Sequence, residues 1–142
     1  MMNFRLVRPD LIVDISRLRD LHGVEQANKT VRIGAGITHA MIEDGIVEGK
    51  TGLYLREVAG GIAYRAVRNR GTVGGSLAHA DPAADWPSAL TALGARLEVR
   101  GPKGSRTIGI NEFLEGPFQT SLNDDEVLLS IELPRLTESA RW

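Results

Sequence analysis

Gly71-Thr72-Val73-Gly74-Gly75-Ser76-Leu77-Ala78-His79-Ala80-Asp81-Pro82-Ala83-Ala84-Asp85 is the stretch on which the reading of this chain turns. Paired glycines lack a β-carbon where main chain must approach a ligand or take positive φ, and Thr72 and Ser76 flank the pair with hydroxyls. That is the chemistry of a diphosphate cradle. The Asp-Pro-Ala-Ala-Asp next in the chain halts and turns it, setting Asp81 and Asp85 beside the loop, where sugar hydroxyls or ring N–H groups of a nucleotide can be met. A tight helix-to-helix turn would also choose glycines, so the loop alone leaves a structural reading and a ligand-binding reading open. Asp85 equally suits a helix start, where the macrodipole favours a carboxylate, and Asp81 suits an Asx turn ahead of Pro82.

Upstream of the loop, Leu55, Val58, Ile62 and Ala66 recur at spacings of three and four, predicting a helix from about Leu53 to Val67 that the Gly60-Gly61 pair lets bend or pack closely. Before it, Thr38 is an N-cap candidate for a helical segment beginning His39-Ala40-Met41-Ile42 and ending near Gly52. Lys29 to Ile37 reads as a strand. Leu11 to Ile15, β-branched and apolar, reads as a short buried strand, succeeded by a turn or short helix over Ser16 to Leu21.

Downstream, the stretch Gly71 to Asp81 is expected as loop and Asp85 to Leu93 as a helix entered through Pro82. Ala95 to Val99 and Arg106 to Ile110 predict a β-hairpin across Gly101-Pro102-Lys103-Gly104. Asn111 is read as the cap of a helical turn. Glu126 to Leu133 closes the pattern as a strand halted by Pro134, and the tail from Thr137 is expected to be loose. A hairpin with interleaved helices indicates α+β. A nicotinamide-binding Rossmann domain does not suit this order, because the glycine loop comes after a helix and lacks the strand, GxGxxG, helix sequence.

The chain has 142 residues, one domain's length, and 42% hydrophobic residues, enough for a single core. No apolar run approaches the ~20 residues of a membrane-spanning helix, and the N-terminus lacks the pattern of a secretory signal, so a cytoplasmic protein is expected. Net charge is −1, with 17 basic and 18 acidic residues, which gives no field for nucleic acid or an anionic membrane. Arg65, Arg68 and Arg70 form the one local cluster. A solvated helix face, an offset for diphosphate charge and a partner contact are all compatible with it. With no cysteine, the chain supplies no ligands for an iron–sulfur cluster. No metal-ligand spacing or serine nucleophile motif occurs, and no catalytic acid or base is assigned; His39 and His79 are read as structural or solvent-facing, since no paired carboxylate is evident.

The run Ile62-Ala63, Arg68 to Ala78, Ala80-Asp81-Pro82 and Asp85 resembles the FAD-binding subunit of the molybdenum hydroxylases, the carbon monoxide and xanthine dehydrogenase group. Met2 to Leu6 with Pro9 and Leu11 to Ile15, then Ile33-Gly34-Ala35 with Thr38-His39, and Leu128 to Pro134 are similar to further elements of its flavin domain. The resemblance implies an α+β, PCMH-type FAD-binding domain with a mixed or antiparallel sheet flanked by helices. Residues 1–136 would be its second subdomain and 137–142 a tail or the start of a linker. The family's N-terminal subdomain, with a first glycine loop that shares the cofactor phosphates, and its C-terminal domain have no match here.

The same resemblance implies that FAD is held by Thr72, Val73, Gly74, Gly75 and Ser76 through glycine amides and hydroxyls, by Asp85, and by apolar contacts from Ile62 and Leu128. It further implies an electron-transfer subunit, or a fragment of one. Its partners would be an iron–sulfur subunit and a molybdenum-cofactor subunit, with NAD or another carrier as acceptor. A flavin-free structural or interaction module is the alternative.

Overall fold

The computed structural model describes residues 8–142. The likeness carried by Met2 to Leu6 lies outside the described residues.

The strands among the described residues are β1 (Val24–Gln26), β2 (Thr30–Gly34), β3 (Arg96–Gly101), β4 (Gly104–Gly109), β5 (Leu114–Gly116), β6 (Gln119–Thr120) and β7 (Val127–Pro134). Five of them form one sheet in the spatial order β1-β2-β7-β3-β4, and every pairing is antiparallel. The apolar β7 takes the middle because both of its edges must be paired; Ile131 stands between Ile33 and Leu97. It ends at Pro134, which has no N–H to give.

One sheet face carries Val31, Ile33, Leu97, Val99, Ile131 and Leu133, all 0–1% exposed, and helices pack over it. The α-helices of the described residues are α1 (His39–Glu43), α2 (Gly49–Gly61), α3 (Arg65–Arg68), α4 (Val73–His79), α5 (Asp85–Ala92) and α6 (Ile110–Phe113), of which α3 buries no residue and packs on α1. Leu55 of α2, Leu77 of α4, Trp86 and Leu90 of α5 and Phe113 of α6 complete a single core. The other sheet face is polar: Arg32 donates to Ser130 Oγ at 3.0 Å and pairs with Glu98, and Ser130 donates to Glu98 Oε2 at 3.1 Å. The short hairpin of β5 and β6 stands apart from the sheet.

The α+β class, the hairpin β3–β4, the closing strand and the helix from Asp85 are as expected, and the sheet is wholly antiparallel. Several local expectations are corrected. The Gly71 to Asp81 loop contains a helix, α4, because Thr72 accepts the Gly75 amide at 3.0 Å and caps it. Gly52 does not end a helix but lies inside α2, where a Cβ would come within 1.9 Å of the Val47 carbonyl oxygen. The helix expected through Val67 stops at Gly61, since Arg68 Nη1 takes the Ile62 and Ala63 carbonyls at 2.8 and 2.9 Å and Ala63 turns to φ 40°.

Asn111 is inside α6, and Gly109 holds the cap position. Leu11, Ile12 and Val13 form no strand and are 78, 67 and 70% exposed. The tail is laced to α2: Leu136 N–H donates to Thr51 Oγ1 at 2.8 Å, and the Trp142 ring meets Tyr54 edge-on with centroids 5.4 Å apart.

Candidate cofactor cleft

Two threonines set the site. Thr38 and Thr72 form an isolated antiparallel bridge, flanked by Val73 N–H donating to the Ile37 carbonyl at 3.1 Å and His39 N–H donating to the Gly71 carbonyl at 3.0 Å. This pairing lays the starts of α1 and α4 side by side. Each threonine oxygen accepts from its own helix, Met41 N–H at 3.2 Å for Thr38 and Gly75 N–H at 3.0 Å for Thr72. Each hydroxyl therefore keeps its O–H to donate outward.

The threonines open on a cleft of about 800 Å³. Leu128 of β7, 4% exposed, lies at its base, and Ala35, Gly36, Gly74, Gly75 and Ala78 line it with small or absent side chains. A second wall is the irregular segment Ile12 to Arg17 with Leu21 and His22, and Asn69 and Arg70 stand at the edge. His22 Nε2 lies 2.9 Å from the Ser16 carbonyl oxygen, which ties that wall together. The Ser16 amide donates to Asp14 Oδ1 at 2.9 Å and holds that carboxyl below its usual range, with the Arg70 charge adding to the effect.

The two glycines of the pair have different tasks. A Cβ at Gly74 would lie 2.3 Å from the Ala35 Cβ, so this glycine lets α4 cross β2's continuation. A Cβ at Gly75 would meet only Thr72 Oγ1, at 2.8 Å, and the residue is exposed: its bare side faces the cleft. The amides are already engaged: Gly74 donates to the Ala35 carbonyl at 3.0 Å, Ser76 to the Thr72 carbonyl at 3.0 Å, Val73 to Ile37 and Gly75 to Thr72 Oγ1. The cleft thus offers a ligand hydroxyls, a guanidinium and bare Cα surface more than free glycine amides.

Thr72, Gly74, Gly75 and Leu128 of the sequence-derived set come together in the cleft. Val73 points into the core at 1% exposure. Ser76 lies on α4 outside the lining, Asp85 is the exposed first residue of α5, and Ile62 sits at the C-terminal cap of α2 against the core. Asp81 makes the Asx turn, accepting from Ala83 N–H at 2.9 Å.

Of the arginine cluster only Arg70 borders the cleft. Arg65 donates to Glu43 and Asp44 at 2.6 to 2.8 Å, and Arg68 grips Glu43 with two bonds of 2.8 and 3.0 Å, so both tie α3 to α1. These arginines hold the Glu43 carboxyl below the usual range. The wall from Ile12 to Arg17 escapes sequence reading because an apolar run looks like core wherever it lies. Thr38 and Arg70 are visible in the sequence, but as a cap and as part of a charged cluster.

Antiparallel α+β domains of this kind occur in solved oxidoreductases. Quinoline 2-oxidoreductase from Pseudomonas putida 86 superposes with a TM-score of 0.85 at 35% identity, over 93% of this chain and 46% of that one. Carbon monoxide dehydrogenase from Hydrogenophaga pseudoflava superposes with a TM-score of 0.89 at 34% identity, over 97% and 48%. Among curated relatives, the 6-hydroxypseudooxynicotine dehydrogenase complex subunit alpha of Paenarthrobacter nicotinovorans is 38% identical, over 96% of this chain and 46% of its own length. Residues 1–136 match the family described as FAD binding domain in molybdopterin dehydrogenase, and the chain belongs to that family. It spans about half the length of the relatives it matches.

Among the described residues no group of three or more histidine, cysteine, aspartate or glutamate side chains is placed to hold a metal ion, and no helix is long and apolar enough to cross a membrane.

Proposed function

We propose that this chain is the central part of a flavin-bearing electron-transfer subunit of a molybdenum hydroxylase, standing between an iron–sulfur partner and an acceptor such as NAD or another carrier. The observation that carries the reading is the cleft itself, in a chain of this family. The donor set suits a phosphorylated nucleotide: two threonine hydroxyls with free O–H groups, Arg70 at the edge, a glycine with no side chain between them, and an apolar base at Leu128. FAD, when bound, supplies the redox chemistry.

Thr38, Thr72 and Arg70 would hold the diphosphate, Gly75 would let it approach, and Leu128 would pack on an apolar ring. Ser76, Asp85 and Ile62 stand outside the lining and would take part only if the ligand extends past it. No side chain here need act as acid or base, so the protein's work is to bind and orient. The organic substrate would be oxidised on a molybdenum-bearing partner.

The test is direct. Purified chain is titrated with FAD and monitored by flavin absorbance and fluorescence, with T72A and R70A alongside. Saturable binding that weakens in both variants is expected. A wild-type chain that takes up no FAD overturns the reading.

A further inference from the structure

Three elements meet at the ring of His39, which is buried behind the cleft. On one edge its Nδ1 accepts the indole N–H of Trp86, the second residue of α5. The opposite edge abuts Gly71, where a Cβ would come within 2.6 Å of Nε2 and 2.8 Å of Cδ2. Main chain joins the same pair, since His39 N–H donates to the Gly71 carbonyl. Gly71 stands between Arg70 and Thr72, and His39 comes directly after Thr38; all three of those neighbours line the cleft. His39 thus lies outside the lining yet backs the peptides that carry three of its polar groups.

Filling that space asks only for an apolar side chain. An imidazole does more, because its ring torsion is soft by itself and one hydrogen bond decides the plane. The Trp86 bond supplies that constraint, so the Nε2 edge is held at a set distance under Gly71. The charged groups bearing on the ring are Arg68 of α3 and Asp85 of α5, and Arg68 is itself gripped by Glu43 of α1. A protonated ring would carry hydrogen on both nitrogens and could not accept from Trp86. It would have to turn, withdrawing its far edge from Gly71.

We infer that His39 is the positioning residue of the cleft: held by Trp86 at one edge, its ring fixes Gly71 with the other and so sets where Thr38, Arg70 and Thr72 stand relative to one another. The inference rests on the proposed cleft function for its ligand, and adds the buried group that keeps the cleft's donors in register. A ligand that needs this arrangement binds the neutral ring, so protonation of His39 weakens it. Simple attraction between an imidazolium and a diphosphate would act in the opposite direction, which makes the sign of the pH effect decisive.

The experiment compares wild type with H39N, H39Q and G71A. Asparagine keeps an acceptor near the Nδ1 position and empties the space under Gly71, glutamine reaches the Nε2 position, and G71A drives a methyl group against the ring from the other side. Amide hydrogen exchange is read first, without ligand. H39N and G71A should speed exchange at Val73, whose N–H flanks the Thr38–Thr72 bridge, about tenfold relative to the β7 amides, with H39Q near wild type. FAD is then titrated between about pH 5 and 8; His22 and His79 are common to all four proteins, so differences report on residue 39 or its contact. At pH 8 H39N should bind FAD about tenfold more weakly and H39Q within about threefold of wild type, and wild type should lose affinity relative to H39Q as pH falls. Val73 exchange that is unchanged, or that rises only in step with β7, overturns the inference, as does a wild type that gains on H39Q in acid. A wild type that takes up no FAD overturns the cleft reading, and Val73 exchange then decides the role of His39 alone.

Discussion

The indole N–H of Trp86 donates to His39 Nδ1 at 3.0 Å, between two rings that are 1 and 6% exposed. An acceptor at Nδ1 requires the neutral ring with its proton on Nε2, and that edge lies beneath Gly71, where a Cβ would come within 2.6 Å of Nε2. Gly71, between the cleft residues Arg70 and Thr72, therefore rests on a buried neutral histidine. Burial, helped by the Arg68 charge and opposed by Asp85, pushes the His39 pKa below 6.5.

A histidine with a depressed folded-state pKa binds protons more readily when unfolded. Its contribution to stability is complete above about 6.5 and declines as pH falls below that value toward the folded pKa. We expect wild-type Tm to drop across this acid window and H39L to flatten the drop. At pH 8 the same variant should be less stable by about 1–3 kcal/mol, because the Trp86 N–H loses its acceptor. Parallel pH profiles for the two proteins would show that His39 is not the titrating group.

Gly74 and Gly75 should separate fold from binding. G74A forces a methyl group against Ala35 and is expected to cost about 1–3 kcal/mol of stability, seen as a lower urea midpoint. G75V displaces only the Thr72 cap, costs about 0.5–2 kcal/mol, and blocks the cleft, so FAD retention should be lost while the fold remains. Retention of FAD by folded G75V would contradict the placement of the ligand.

Arg68 and Arg70, two residues apart, should behave oppositely. Arg68 is only 12% exposed and holds Glu43 and two carbonyls, so R68A is expected to lose about 2–3 kcal/mol in denaturant unfolding. R70A should change stability by less than about 0.5 kcal/mol. Its FAD affinity should fall about five- to tenfold at low salt, with a smaller loss at high salt. A salt-independent R70A defect would argue against a charge contact.

The Arg106 side chain donates twice to Glu126, at 2.9 and 2.8 Å, and lowers the Glu126 pKa from 4.5 to about 2. A depressed carboxylate contributes stability that is complete above the unfolded value and is lost as pH falls through the folded one. E126Q should therefore show a shallower stability loss than wild type between pH 4.5 and about 2, measured by thermal melts. Identical acid limbs would remove Glu126 from the account.

The fold class is legible because it rests on periodicity and turn chemistry, which are local. Gly101 to Gly104 reads as a hairpin turn between β-branched runs, and Thr38 as the cap of the helical segment that begins at His39, and the structure has both. The family likeness carried by Gly71 to Asp85 is legible for the same reason: its residue types sit at fixed spacing in one segment. In the sequence Thr72 is a hydroxyl beside a loop, and its second role, capping α4, needs the Gly75 amide to be brought to it.

What tertiary structure decided is which side of each residue is free. Gly74 and Gly75 are the same residue type side by side and both line the cleft, yet a Cβ would strike Ala35 at one and only the Thr72 hydroxyl at the other, a distinction made by the chain just beyond β2 crossing only Gly74. Leu11 to Ile15 read as core because apolar side chains gain most when buried; whether they are buried depends on what lies opposite, and no strand among the described residues does. Arg65, Arg68 and Arg70 likewise look alike along the chain, and only the carboxylates of α1, reached through space, leave Arg70 to the cleft. Residue type and spacing fix local conformation, while the partner that completes each interaction comes from distant chain.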